Sequence, residues 1–251
     1  IIAKRGALFM VNLRHEVMKR GFTVVHIKTD SIKIADATPE IIKFVMDYGR
    51  LYGYTFEHEA TYDRMCLVNN AVYIAKFATV EKCMALYGYA PGENIEDGGE
   101  WTATGTQFQV PYVFKTLFSK EEITFDDMCE TKTVTKGDIC LDCNEGMGDN
   151  HNYVFVGRVG QFCPVIPGSG SGELICHNGD KYSAVTGTKG YRWMESEVVR
   201  QLHLEDTIDK SYYNKLVDDA LAAINEYCDA EWFCSDAEYD HEFGIPGQVP
   251  F

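Results

Sequence analysis

"GFTVVHIKTDSIKI", residues 21–34, sets two apolar runs on either side of Lys28-Thr29-Asp30-Ser31. The first run, Phe22 to Ile27, is rich in β-branched and aromatic residues, and the second alternates, with Ile32 and Ile34 on one face. Both patterns favour strands, and a turn at Lys28 to Asp30 joins them into a β-hairpin. Asp30 at the tip has two readings. Aspartate suits turns because its carboxylate accepts bonds from the amides that follow it. A carboxylate held at a hairpin tip can also bind a metal.

Working outward, Met10, Leu13 and Val17 recur at helical spacing, with Leu8, Val11 and Met18 beside them, so a helix is expected over 7–20 and a stop at Gly21. After the hairpin, Thr38 caps a second helix with Pro39 at its first position. Its buried stripe is Ile41, Phe44, Val45 and Tyr48, and Gly53 closes it. "YTFEHEATYDRMCLV" (54–68) and "AVYIAKF" (71–77) read as further strands. A strand over 55–60 would place Glu57 and Glu59 on one face. The expected class is α+β, with helices covering one face of an antiparallel sheet. If the strand at 55–60 lies beside the hairpin, Glu59 comes near Asp30. Two-metal phosphoryl transfer needs such a carboxylate cluster, and Lys28 and Lys33 would suit a phosphate backbone.

Composition sets the bounds. The chain has 251 residues, of which 45% are hydrophobic, enough for one large or two modest cores. No stretch approaches the roughly 20 apolar residues of a membrane-spanning helix, and no signal-like start is present. A soluble protein of the cytoplasm, without a membrane partner, is expected. Ile1 to Arg20 reads as the middle of something, so a piece of a longer protein is expected too. Nine cysteines without regular spacing favour a reducing compartment. "CLDC" (Cys140, Cys143) offers two zinc ligands, but no second such pair accompanies it, so unliganded thiols are the expectation.

The net charge of −15 argues against nucleic acid, yet it is uneven. Residues 1–85 carry 12 basic against 9 acidic side chains, and the rest 11 against 29. A junction near residue 86 follows, with any phosphate-binding surface on its N-terminal side. Beyond it, "APGENIEDGGEW" (90–101) reads as an acidic, glycine-rich loop and "VPYVFKTLF" (110–118) has no clear period. Residues 152–193 alternate short strands with turns, 207–232 read as one helix with Tyr227 on its apolar face, and the acidic tail from Ser235 reads as weakly ordered.

Helix, "GFTVVHIKTDSIKI", helix, "YTFEHEATYDRMCLVNNAVYIAKF" resembles the palm segment of family B DNA-directed DNA polymerases, especially divergent phage-encoded ones. There a helix feeds a hairpin bearing Tyr-Gly-Asp-Thr-Asp-Ser, and a Glu-bearing strand leads to a Lys-Lys-x-Tyr strand. The resemblance covers about residues 7–77. It implies a partial palm at 1–85 and a thumb-like mixed α/β region at 86–251. Asp30 then falls on the metal-ligating catalytic Asp, flanked by Thr29 and Ser31. Glu59 falls on the accessory palm carboxylate, and Tyr73 on the tyrosine that meets the primer end.

Two positions depart from the pattern. Lys28 replaces the first hairpin Asp, which suggests contact with a primer phosphate, and Asn70 and Ala71 stand where the Lys-Lys pair is expected. The resemblance further implies two Mg²⁺ ions, completed by residues outside this chain, and primer-template DNA and a deoxynucleoside triphosphate as partners. The upstream Asp-x-x-Ser-Leu-Tyr-Pro-like motif and the fingers helix do not occur in this sequence. The chain alone is therefore expected to be inactive. The alternative is a non-catalytic DNA-binding module on a degenerate palm scaffold, and a weaker one is a carboxylate-metal hydrolase. Arg158, Lys189 and Arg192 in the acidic region read as exposed solubilising charges, with phosphate contact as the alternative, while the aromatics of "YRW", His26 and Cys66 read as core.

Overall fold

The computed structural model describes residues 2–144, 150–168 and 170–235. It is a mixed α+β fold of two compact units. Unit 1 holds the residues up to Gly105 together with Glu226–Phe233; unit 2 holds Thr106–Asn225 and Cys234.

Unit 1 opens with α1 (Ile2–Lys19) and the hairpin of β1 (Val24–Lys28) and β2 (Ser31–Ile34). Then come α2 (Pro39–Leu51), β3 (Tyr62–Leu67), β4 (Tyr73–Phe77), α3 (Val80–Tyr87), α4 (Gly92–Asp97) and β5 (Trp101–Ala103). The hairpin is a two-stranded sheet of its own, and β3, β4 and β5 form a second, in that order. Phe9, Met10, Leu13 and Val17 of α1 are buried against Ile41 and Val45 of α2, whereas Leu8, Val11 and Met18 face solvent. The face of the hairpin that carries Val24, Ile27, Ile32 and Ile34 packs on this core.

Strict alternation would put Val24 and Ile27, three residues apart, on opposite faces. A register shift between Val24 and His26 leaves Val25 as the odd residue, 45% exposed, and brings Val24 and Ile27 to the same, core-facing side. The opposite face of the ladder then carries His26 opposite Lys33 and Lys28 opposite Ser31.

Two expectations in unit 1 need correction. Residues 54–61 form no strand; the ladder begins at Tyr62, which pairs with Phe77, the last residue of β4 before the chain turns into α3. Residues 55–60 therefore have no strand to pair with. The charge change near residue 86 also falls inside unit 1. Beyond it, β5 returns to pair with β4, with Ala103 opposite Ile74 and Trp101 opposite Lys76, and this carries the unit on to Gly105.

Unit 2 begins with α5 (Thr106–Gln109) and α6 (Pro111–Phe114), the latter continued by a π-helical turn over Lys115–Ser119. Two antiparallel sheets follow. One joins β6 (Glu130–Thr133), β9 (Val159–Val165) and β12 (Arg192–Glu195). The other joins β7 (Asp138–Asp142), β8 (Tyr153–Gly157), β10 (Glu173–Asn178) and β11 (Lys181–Ala184).

With α7 (Ser196–Gln201) and α8 (Lys210–Asn225), these sheets enclose a core around Phe162, Leu174, Trp193, Val199 and Tyr213. The single helix expected over 207–232 is two: α8 ends at Asn225, and α9 (Ala230–Phe233) begins after Asp229, whose carboxylate accepts from the Trp232 amide at 2.8 Å. An aspartate placed so caps a new helix. The acidic tail lies outside the described residues apart from Ser235. No described helix is long and apolar enough to cross a membrane.

Candidate nucleic-acid interface on unit 1

A cavity of about 490 Å³ opens on unit 1 against the polar face of the hairpin. His26, Lys28, Ser31 and Lys33 form one wall; Tyr62, Tyr73 and Phe77 of β3 and β4 form another, continued by Trp101, Thr102 and Thr104. Glu59, Glu93, Asp97 and Glu100 supply its acidic side. The volume lies within the range of small-molecule sites.

Lys33 is its electrostatic centre. Its ammonium sits 4.8 Å from the centre of the Tyr62 ring and 5.3 Å from that of Tyr73, within cation–π range of both. Burial lowers its pKa, against the opposing pull of Glu59 and Glu93, and Lys28 lowers it further. Glu93 is pushed up, first by burial and then by Glu59. Burial also raises the Tyr62 phenol, helped by Tyr73. Lys33 is thus the internal counter-ion of the two glutamates. Lys28, exposed at the hairpin end, has no ion-pair partner among the described residues. Of the two lysines, Lys28 is free to meet an anion from outside.

The wall is positioned in part by Asn94 and Thr104, which the sequence did not single out. Asn94 of α4 is fully buried; its Oδ1 accepts from the Thr61 amide at 2.7 Å, and its Nδ2 donates to Thr61 O at 2.7 Å and Ala78 O at 2.8 Å. This staple holds the start of α4 beside residues 59–61, where the Glu93 amide meets Glu59 O at 3.4 Å. Thr104 accepts from the Tyr73 amide at 2.9 Å and donates to Ala71 O at 3.1 Å, which sets the start of β4. His26, 7% exposed, contacts Asn70 O at 3.2 Å through Nε2, and its Nδ1 is buried without a partner.

Of the residues picked from sequence, the fold brings Lys28, Ser31, Glu59 and Tyr73 to one cavity. Thr29 and Asp30 do not line it. They form the two-residue turn, with Thr29 at φ 50°, a left-handed position uncommon for a β-branched residue, and both are exposed. The Ser31 hydroxyl closes the turn by donating to Lys28 O at 3.2 Å.

A two-ion magnesium centre needs several oxygen ligands on one spot. No group of three or more His, Cys, Asp or Glu side chains suited to a metal occurs among the described residues. Asp30 supplies one carboxylate at an exposed tip, so these residues by themselves do not fit such a centre. In unit 2, Arg192 is spent internally, donating to the carbonyls of Ser171 and Asn144, and Trp193 is fully buried.

Comparison of the chain with protein-family models, with curated proteins and with solved structures finds no match.

Proposed function

We propose that this chain is the C-terminal portion of a template-directed DNA polymerase of the family B kind, and that its part in nucleotidyl transfer is to hold primer-template DNA against the polar face of the hairpin. The observation that carries the reading is the gathering of Lys28, Ser31, Glu59 and Tyr73 at one cavity. These four come from two separate stretches of sequence, and they are four of the six positions that the polymerase resemblance singles out. In this reading Lys28 meets a primer phosphate, Tyr73 and Tyr62 present ring edges and hydroxyls to the sugar-phosphate backbone or base edges, and Glu59 holds Lys33 in place between the rings. Asp30 would serve a metal centre only with ligands from outside these residues, and the reading takes no step through it.

The test is binding of a labelled primer-template to this chain, followed across a salt series for the natural protein and Lys28→Ala. A lost phosphate contact should weaken binding several-fold and reduce the salt slope by about 0.9. Equal affinity and equal slope would remove Lys28 from the interface. Primer extension by a longer protein carrying the upstream palm and fingers separates catalysis from binding alone. Lys28, in place of an acid, is the feature that favours the non-catalytic module, and extension by that longer protein would exclude it.

A further inference from the structure

After α8 the chain returns to unit 1 as a short strap laid along β3, which is the edge of its sheet. The Tyr227 hydroxyl donates to Val68 O at 2.8 Å, and the Arg64 guanidinium donates to the carbonyls of Trp232 and Phe233, both at 3.0 Å. The same guanidinium lies 4.6 Å from the centre of the Trp232 ring. Between these anchors, the thiol of Cys66 in β3 is hydrogen-bonded to the sulfur of Cys228 in the strap. Cys66 is buried and Cys228 is half-buried.

We propose that Cys66 and Cys228 form a reversible disulfide under peroxide, with Cys228 as the attacking thiol and Cys66 as the resolving one. A reactive cysteine needs thiolate character, access and a neighbouring thiol to capture its oxidised form. Cys228 has access, and the strap's anchors on both sides hold its partner against it. The bond donated by Cys66 holds the Cys228 thiol below its ordinary range, although burial and Asp229 oppose this. Burial instead pushes up the thiols of Cys83, Cys129, Cys140, Cys143 and Cys163. The pair Cys129 and Cys163 makes the contrast: their sulfurs lie 3.4 Å apart, but Cys163 is fully buried and both thiols are raised.

The steps balance. The Cys228 thiolate attacks a peroxide oxygen, an S–O bond forms, the O–O bond breaks, and the hydroxide released takes a proton to become water. The Cys66 sulfur then attacks Cys228, an S–S bond forms, the S–O bond breaks, and a second water leaves with the Cys66 proton. Two thiols lose two electrons to one peroxide. The product ties the strap to β3 and closes a covalent ring of chain from 66 to 228, within which all of Thr106–Asn225 is contained.

The test exposes the chain to dilute hydrogen peroxide, blocks remaining thiols in denaturant, and maps the unreduced digest by mass spectrometry. The expected product is a peptide pair joined through Cys66 and Cys228, lighter by two hydrogens than its parts and separated by dithiothreitol. Cys66→Ser should abolish the pair and leave Cys228 as a sulfenic acid trapped by dimedone. Cys228→Ser should abolish it and leave Cys66 unoxidised. Full blocking of both cysteines after peroxide, or joining of Cys129 to Cys163 at the same or a faster rate, would overturn the proposal.

Discussion

The two units treat their enclosed charges differently. In unit 2 the enclosed acids Asp127, Glu130 and Asp142 each have a direct partner, although one Glu130 oxygen is buried without one. Asp127, nearly buried, accepts from the Thr124 amide at 2.6 Å, the Thr124 hydroxyl at 2.9 Å and Lys115 at 3.0 Å. Lys132 reaches Glu130 at 2.5 Å, and Asp142 accepts from the Asn152 amide at 3.0 Å beside His151 at 2.7 Å. In unit 1 Lys33 lies between two tyrosine rings, and its glutamates act on it through space. Closed pairs stabilise a fold but leave nothing for a ligand. An incompletely compensated set around a cavity costs stability, and sites of binding are where such a cost is commonly found.

That contrast can be broken in four places. The largest effect should come from Asn94→Ala, which removes the bonds made to the Thr61 amide and to Ala78 O, while Thr61 O keeps the Ala78 amide. A loss of about 3 kcal/mol is expected, read as faster amide exchange at Thr61 and along β3. Exchange unchanged there would mean that α4 is held by something else.

Next is Asp127→Ala in unit 2, expected to cost about 2 kcal/mol at neutral pH. Burial would raise the Asp127 carboxyl, but the Thr124 amide, Lys115 and the Thr124 hydroxyl outweigh it and hold it below its ordinary value. Its folded pKa is therefore below the unfolded one. The contribution is fully present above the unfolded value of about 3.9 and is lost as pH falls through the folded value. The gap between natural protein and variant in urea unfolding should close in acid, and a gap that persists there would point to lost packing.

Lys33→Met should change stability by less than about 1 kcal/mol, because the ion it removes is already poorly solvated. The same variant should push the Glu93 carboxyl higher still, since Lys33 now holds it down; a carboxyl-resolved NMR titration would see this, and an unmoved Glu93 would uncouple the two. Smallest is Lys28→Ala, with less than about 0.5 kcal/mol of stability at stake, even though DNA binding should fall.

Much of unit 1 was legible because period-two and period-3.6 patterns report which face is buried. The hairpin, α2 and the strands at Tyr62 and Tyr73 followed from that. What such patterns cannot report is whether a partner strand exists: Glu57 and Glu59 alternate with half-buried neighbours as an extended segment should, yet no strand pairs with them. Asn94 was hidden for a related reason. In a stretch of Gly and Glu it reads as loop, and only the proline at 91, which can open a helix, hinted at α4. Charge counting placed a junction near residue 86 because net charge says nothing about β5 returning to β4. The break after Asn225 was readable in principle, since Asp229 stands three residues before the amide it caps.

The odd residue at Val25 has a consequence for how this molecule tolerates change. A substitution there alters one exposed side chain. Deleting Val25 would leave Val24 and Ile27 two residues apart, the spacing of a regular strand, so both would stay on the helices while His26 and Lys28 kept the opposite side. The division of labour between the two sides of this short hairpin therefore survives loss of its odd residue. Position 25 is a place in β1 where the segment can vary in length as well as in letter.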